Sequence, residues 1–515
     1  MPCTTLLVGK GASYDGSTII ARNEDPPNGE FPPKRFVVVQ PADQPRHYRS
    51  VLSHVEIDLP DDPQRYSSVP DALGKDGIWA EAGVNESNVA MSATETLTTN
   101  ERVLGADPLV ELVAAEGAPD EGGYRPERAG GIGEEDMLTL VLPYIGSARE
   151  GVLRLGALLE GFGTYEMNGI AFSDVDEIWW LETVGGHHWI ARRIPDDSYV
   201  VMPNQLGIDS FDLDDALGEG RDHLCSADLA EWMARHHLCL DPDFGAGAEE
   251  GGRDAHARRV FNPRAAFGSH SDADHVYNTP RAWAVHRFLR GTLEFGYDGE
   301  GWGPEDDDLP WDAAPKRKVT IEDVKYALSL HYQGTPFDPY GSAGTPATRG
   351  AYRPIGINRN GQLAAIQLRP YAPESCRAIQ WMTYGSNAFN ALAPFYANVD
   401  RTPEYLANTT GTVTTESFYW ANRLIAALAD AHFGACAAHI ERYQEAVGAL
   451  GHASVAKWDA LVSEGSLGHE GAAELLGQAN DEVASMLRGQ TDDVLGKVLL
   501  TASLGMRNGF ARSDG

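Results

Sequence analysis

The chain has 515 residues, 42% of them hydrophobic and 9% aromatic, which is long enough to bury a large core and to form two or more domains. A net charge of −34 argues against general affinity for the nucleic-acid backbone, and no run of about eighteen apolar residues is present to span a membrane. Five widely spaced cysteines, Cys3, Cys225, Cys239, Cys376 and Cys436, do not make a disulfide framework. The first twenty residues lack the basic-then-apolar pattern of a signal peptide, so a cytoplasmic protein is expected.

Taken in order, an apolar, β-branched run follows Cys3, a turn spans 11–16, and a second run, 17–21, leads into Arg22-Asn23-Glu24-Asp25. This pattern predicts a hairpin that returns Arg22 and Asp25 to the neighbourhood of Cys3. A further strand is predicted at 35–39 and a strand pair at 77–85 and 89–96. Apolar residues at helical spacing then predict helices over 134–144 and 148–161. Strand periodicity returns at 169–172, 177–182, 188–193 and 199–202. A helix follows at 281–291, strands at 362–368 and 378–384, and a mostly helical stretch from 416 to about 500. Segments near 241–258 and 298–316 are rich in Gly, Pro and acidic residues and read as surface insertions. Strands, helices and strands in succession predict an α+β protein with helical layers on antiparallel sheets. The expected organisation is a core over 3–400 and a mainly helical portion, 401–515, packed on it.

If Met1 and Pro2 are removed, Cys3 carries a nucleophile and a base on one residue. A free thiol titrates near ~8.5 and an α-amine at roughly 7.7–8.0, so the amine can accept the thiol proton near neutral pH. Arg22 would favour the thiolate by its fixed charge, and Asp25 would orient the amine. Residue chemistry alone also fits a buried strand cysteine.

Cys3-Thr4 followed by Arg22-Asn23-Glu24-Asp25 at the end of the next strand resembles the opening of the cysteine N-terminal nucleophile hydrolases, which include bile-salt hydrolases and penicillin V acylases. The wording Cys3-Thr4-Thr5-Leu6-Leu7-Val8-Gly9-Lys10, Ala12-Ser13-Tyr14-Asp15-Gly16-Ser17 and Ala21-Arg22-Asn23-Glu24-Asp25 is most similar to C69 dipeptidases of the dipeptidase A type. The resemblance implies a four-layer αββα fold and a homo-oligomer that hydrolyses free dipeptides through a thioester, without cofactor or metal.

The resemblance also assigns roles. Asn204, after Val201-Met202-Pro203, corresponds to an asparagine whose amide faces the scissile carbonyl; taken alone it reads as a turn residue. Arg281, after Asn278-Thr279-Pro280, corresponds to a second active-site arginine; taken alone it reads as a surface residue. Glu95 stands where the bile-salt enzymes carry an oxyanion-hole asparagine. A carboxylate cannot donate to an oxyanion, so either a backbone N–H takes that part or the site is repurposed. Glu95 would then bind the α-ammonium of a dipeptide, or be a strand-end carboxylate in solvent. Two rival functions stay open at this level: hydrolysis of a non-peptide amide such as a conjugated bile acid, and a non-enzymatic scaffold similar to the secernin-like proteins.

His432, Cys436 and His439 recur at i, i+4 and i+7 but match no familiar metal spacing. No Gly-x-Ser-x-Gly, P-loop or Gly-x-Gly-x-x-Gly is present, which removes the usual serine hydrolase and nucleotide-binding readings.

Overall fold

A computed structural model describes residues 3–27, 29–120, 122–241, 244, 259–297, 299, 301–465 and 469–506, without the side chains of Thr94, Glu95, His469 and Glu470. The expected hairpin forms from β1, Thr4–Val8, and β2, Thr18–Glu24. Its register sets Thr4 opposite Asn23 and Thr5 opposite Arg22. The turn approaches the main chain of Asp196 so closely that a Cβ on Gly9 or Gly11 would lie 2.6 or 2.7 Å from the Asp196 carbonyl oxygen, which restricts both positions to glycine.

The hairpin lies inside a seven-stranded antiparallel sheet. The order is Asp312–Ala313, Tyr199–Met202, β1, β2, Gln362–Leu368, Ala378–Tyr384 and Ala393–Tyr396. A second, six-stranded antiparallel sheet runs His223–Cys225, Trp189–Arg193, Ile178–Thr183, Asn168–Ser173, Ala90–Thr96 and Ala82–Val84.

Period-two alternation assigns the faces. Leu7, Ile20, Val200 and Ala364 of the larger sheet share one buried cluster with Ala171, Trp180 and Ile190 of the smaller. Leu6, Ile19, Val201 and Ala365 point the other way, into a cluster with Trp283 and Val285 of the helix Thr279–Arg290 and Val324 of the helix Ile321–Ala327. On the smaller sheet, Phe172, Trp179 and Leu181 meet Met137 and Leu138 of the helix Glu134–Val141 and Leu155 of the helix Ala148–Phe162. Full burial of one such large apolar side chain stabilises the fold by about 1.5–3 kcal/mol.

The C-terminal stretch forms the helices Phe418–Asp430, Phe433–Glu464 and His469–Leu504. Phe418, Ile425, Ile440, Val447 and Leu487 pack against Met382 and Phe395 of the larger sheet. Among the described residues no helix is long and apolar enough to cross a membrane.

Several boundaries differ from expectation. The segment expected as a strand over 35–39 pairs only at Val37–Val39, with Tyr66–Ser68. The helix expected over 134–144 changes to a 3-10 turn at Leu142–Tyr144, where Pro143 cannot donate an α-helical hydrogen bond. Asp312–Ala313, inside the segment expected as an insertion at 298–316, is an edge strand of the main sheet. Residues 242–243 and 245–258 of the other expected insertion lie outside the described part. His432 is the N-cap residue just before the helix Phe433–Glu464, which carries Cys436 and His439, and its side chain makes no capping hydrogen bond.

Candidate active site

Arg22 sits in the strand that pairs with the residues following Cys3, and its Nη2 donates to Cys3 Sγ at 2.8 Å. The same guanidinium donates from Nη1 to Glu81 Oε2 at 2.6 Å and from Nη2 to Glu134 Oε1 at 2.8 Å. Cys3 is fully buried, and Arg22, Glu81 and Glu134 are each exposed by 3% or less. Arginine keeps its charge even when buried, and a donor held against sulfur favours the thiolate. The two carboxylates fix the fork in its plane.

Glu81 continues the network. Its Oε1 lies 3.6 Å from Lys34 Nζ, which pairs with Glu24 Oε1 at 2.9 Å and Asp71 Oδ1 at 2.7 Å. Burial pushes the Glu81 carboxyl above its ordinary range, opposed by Arg22 and Lys34. Burial would lower the Lys34 pKa, but Glu24, Asp71 and Glu81 outweigh it and hold the ammonium above the usual lysine value. Glu81 has a φ of 62°, in the left-handed region that non-glycine residues rarely occupy. Strain of this kind costs on the order of 1–3 kcal/mol and gathers at functional sites.

A second arm comes from the helix Thr279–Arg290. Pro280 in its first turn fixes the entry of the chain, and Arg281 follows, fully buried. Arg281 donates from Nη1 to the Cys3 carbonyl oxygen and to Thr4 Oγ1, the latter at 2.8 Å. From Nη2 it donates to Asn204 Oδ1 at 2.6 Å and Asn278 Oδ1 at 2.7 Å. Asn204 lies just past the strand Tyr199–Met202, the neighbour of β1. The Asn278 side chain pairs with its main chain: Asn278 Nδ2 donates to the Asn204 carbonyl at 3.1 Å, and the Asn204 N–H donates to Asn278 Oδ1 at 3.2 Å.

The third arm holds Asp25, the residue just past β2, which is fully buried. Its Oδ2 accepts from Arg353 Nη2 and its Oδ1 from Asn360 Nδ2. Burial works against the charge on Arg353, and the neighbouring Asp25, Tyr277 and Cys3 outweigh it, raising its pKa. The guanidinium carbons of Arg281, Arg353 and Arg359 lie 5.2, 5.0 and 5.9 Å from the centre of the Tyr277 ring. Three guanidinium groups thus gather around one electron-rich ring, and the carboxylates of Asp25, Glu81 and Glu134 balance the cations of this region.

Cys3, Arg22, Asn204 and Arg281 are joined by direct hydrogen bonds, and Asp25 is tied to the same surroundings through Arg353. Glu95 lies in the strand Ala90–Thr96, but its side chain is outside the described residues. Glu81, Glu134, Lys34, Asn278, Arg353 and Asn360 also build the site and carry no motif in the sequence. The available signals were a carboxylate between apolar neighbours, Ala80-Glu81-Ala82, and three acids in a row at Glu134-Glu135-Asp136. Among the described residues no group of three or more His, Cys, Asp or Glu side chains could hold a metal ion.

Comparison with known proteins agrees with the opening residues. The family model for peptidase family C69 matches residues 2–446, which include all of these site residues. The chain is 58% identical, over the whole of both proteins, to a protein named Dipeptidase from Bifidobacterium longum (strain NCC 2705). It is 53% identical, again over the whole of both, to Probable dipeptidase A from Streptococcus pyogenes serotype M3 (strain SSI-1). It is 43% identical to Probable dipeptidase B from Lactococcus lactis subsp. lactis (strain IL1403), over 99% of this chain and 98% of that one. The chain belongs to peptidase family C69.

Proposed function

We propose that this chain is a dipeptidase of broad specificity that uses Cys3 as an N-terminal nucleophile, exposed by removal of Met1 and Pro2. The observation that carries the reading is the Arg22 Nη2 to Cys3 Sγ contact of 2.8 Å, in a chain similar along its full length to proteins named dipeptidases.

In the mature enzyme the Cys3 amine takes the thiol proton, and the thiolate, favoured by Arg22, attacks the peptide carbonyl of the dipeptide. The Asn204 amide and a backbone N–H stabilise the oxyanion, a contribution that dominates many acyl transfers. The amine then protonates the leaving amino acid, which departs as the C–N bond breaks and a thioester remains. The same amine activates water, which breaks the C–S bond and releases the second amino acid. Asp25, gripped by Arg353 and Asn360, orients the amine. Arg281 holds the Cys3 carbonyl and the Asn204 amide in register. Glu95 receives the α-ammonium of the substrate. No cofactor enters the scheme.

The same reading takes the architecture as the four-layer αββα sandwich of N-terminal nucleophile hydrolases. The cluster shared by the two sheets and the helices against their other faces support it. It further takes 3–400 as the catalytic core, 401–515 as a helical portion, and the protein as a cytoplasmic homo-oligomer.

Intact mass of the purified protein, measured beside rates on a panel of dipeptides, tests the proposal. The expected result is a mass short by Met1 and Pro2 together with cleavage of dipeptides. An active enzyme that keeps Pro2 overturns the amine-base mechanism, and a mature Cys3 terminus without any dipeptide cleavage overturns the activity.

A further inference from the structure

Away from Cys3, a cavity of about 510 Å³ opens between the helix Ile321–Ala327, the strand Ala378–Tyr384 and the long helix Phe433–Glu464. Its size falls within the roughly 300–1,000 Å³ of small-molecule sites. Trp381, Phe389, Leu392, Phe433 and Ile440 give it apolar walls. Its charged lining comprises Lys325 and Glu322 from the short helix, Glu441 and Glu445, one turn apart, from the long one, and Asp338. Of these acids Glu322 already meets His452 Nε2 at 2.6 Å and Asp338 meets His331 Nδ1 at 2.9 Å, which leaves Glu441 and Glu445 to face a ligand.

Lys325 Nζ donates to the Asn387 carbonyl at 2.6 Å and to Ser329 Oγ at 2.8 Å. Both acceptors are neutral, and among the described residues no carboxylate pairs with it. Burial brings its amine down to about 7, so an incoming anion would find an amine ready to take a proton and form an ion pair. Lys325 is also one step from the machinery around Cys3. The N–H of Asn387 donates to Asn360 Oδ1 at 3.1 Å, and Asn360 Nδ2 donates to Asp25 Oδ1. Asn387 and Asn360 are both fully buried.

We propose that this cavity is a second binding site for a free amino acid with a large apolar side chain. Its carboxylate pairs with Lys325, its ammonium faces Glu441 and Glu445, and its occupancy is passed to Asp25 through Asn387 and Asn360. The paired acids select a zwitterion over a plain carboxylic acid, which they would repel. The apolar walls select a large hydrocarbon side chain over a small one. The coupling half of the proposal rests on the proposed function, because such an amino acid is a product of that reaction. Drawing Lys325 Nζ towards a carboxylate weakens its bond to the Asn387 carbonyl. The ligand can shift the site at Asp25 only by the difference in its affinity for the two arrangements.

The test uses the full chain and L-phenylalanine as probe. Lys325→Met removes the cation, and Gly448→Trp fills the cavity from its edge, where an added Cβ meets nothing within 4 Å. Equilibrium dialysis is expected to give a phenylalanine site in the wild type that weakens about tenfold or more in both variants. 3-Phenylpropanoate and phenethylamine, each lacking one charged group, should bind this site at least as much more weakly. With a dipeptide free of phenylalanine as substrate, the probe should change kcat in the wild type and only KM in the variants. Equal phenylalanine binding in all three proteins overturns the site. Binding of 3-phenylpropanoate as tightly as phenylalanine overturns the assigned ligand, and an unchanged kcat in the wild type overturns the coupling. Dialysis needs no turnover, so a chain that cleaves no dipeptide would refute the proposed function while the binding data still decided the cavity.

Discussion

Arg281 Nη2 lies 2.6 Å from Asn204 Oδ1, and this contact decides which end of the Asn204 amide is the donor. With its oxygen committed to a guanidinium, the amide turns its N–H hydrogens away from Arg281. The Asn204→Asp variant keeps the acceptor for Arg281 and deletes the donor. Its kcat on a good dipeptide should fall by about 10²–10³-fold while the melting temperature stays close to that of the wild type. A kcat within a few-fold of the parent would remove Asn204 from oxyanion stabilisation.

Arg22 is expected to serve stability as well as chemistry. Truncation to Met leaves Glu81 and Glu134 as buried carboxylates without the cation that now pairs with both. Urea unfolding of Arg22→Met should show a loss of about 3–5 kcal/mol. Cys3→Ala should instead unfold near the wild-type midpoint and be inactive, which separates the thiol's chemistry from its packing.

Glu182 predicts a pH dependence of stability. It is fully buried, and its Oε1 accepts from Trp180 Nε1 at 3.0 Å and from the N–H groups of Gly207 and Ile208 at 2.7 and 3.3 Å. Burial raises its carboxyl from about 4.5 to about 7. Below about 4.5 the folded and unfolded chains both hold this proton, and its stabilising contribution is complete. Between about 4.5 and 7 only the folded chain holds it, so stability falls as pH rises through this window and levels off above it. The loss amounts to about 3 kcal/mol. Glu182→Gln, followed by urea unfolding across this range, should flatten the curve by that amount.

The edge strand Ala393–Tyr396 is closed by a side chain. The N–H of Tyr396 donates to Asn480 Oδ1 at 2.8 Å, and Asn480 Nδ2 donates to the Tyr396 carbonyl at 3.0 Å. Asn480→Ala leaves two buried main-chain groups unpaired and should cost about 2–4 kcal/mol in urea unfolding. Since the amide imitates a strand partner, Asn480→Gln, one methylene longer, should not restore the loss.

The hairpin of β1 and β2 was legible because period-two burial leaves a local trace in the sequence. Arg22 and Asp25 were legible because they stand together at the end of one strand. Glu81 and Glu134 were not, being 59 and 112 residues from the Arg22 they bind. Neither spacing follows a secondary-structure period, and only the folded chain brings those carboxylates to one guanidinium. Arg281 read as a surface residue by its type and is buried because Asn204, Asn278 and the main chain of Cys3 together satisfy its donors. Asp312–Ala313 was concealed in an acidic, proline-rich stretch, where two residues are too few to show alternation.

The middle of the larger sheet also sets an order of events during synthesis. β2 pairs on one side with Gln362–Leu368, which is made about 340 residues later. At typical rates of about 5–20 residues per second, the ribosome takes roughly 20–70 s to cover that distance. Through that interval Cys3 and Arg22 wait without one wall of their sheet. The grip on Asp25 waits as well, since Arg353 and Asn360 belong to the same late stretch. The Cys3 thiol thus meets its finished surroundings only after Arg353, Asn360 and the strand Gln362–Leu368 have been made.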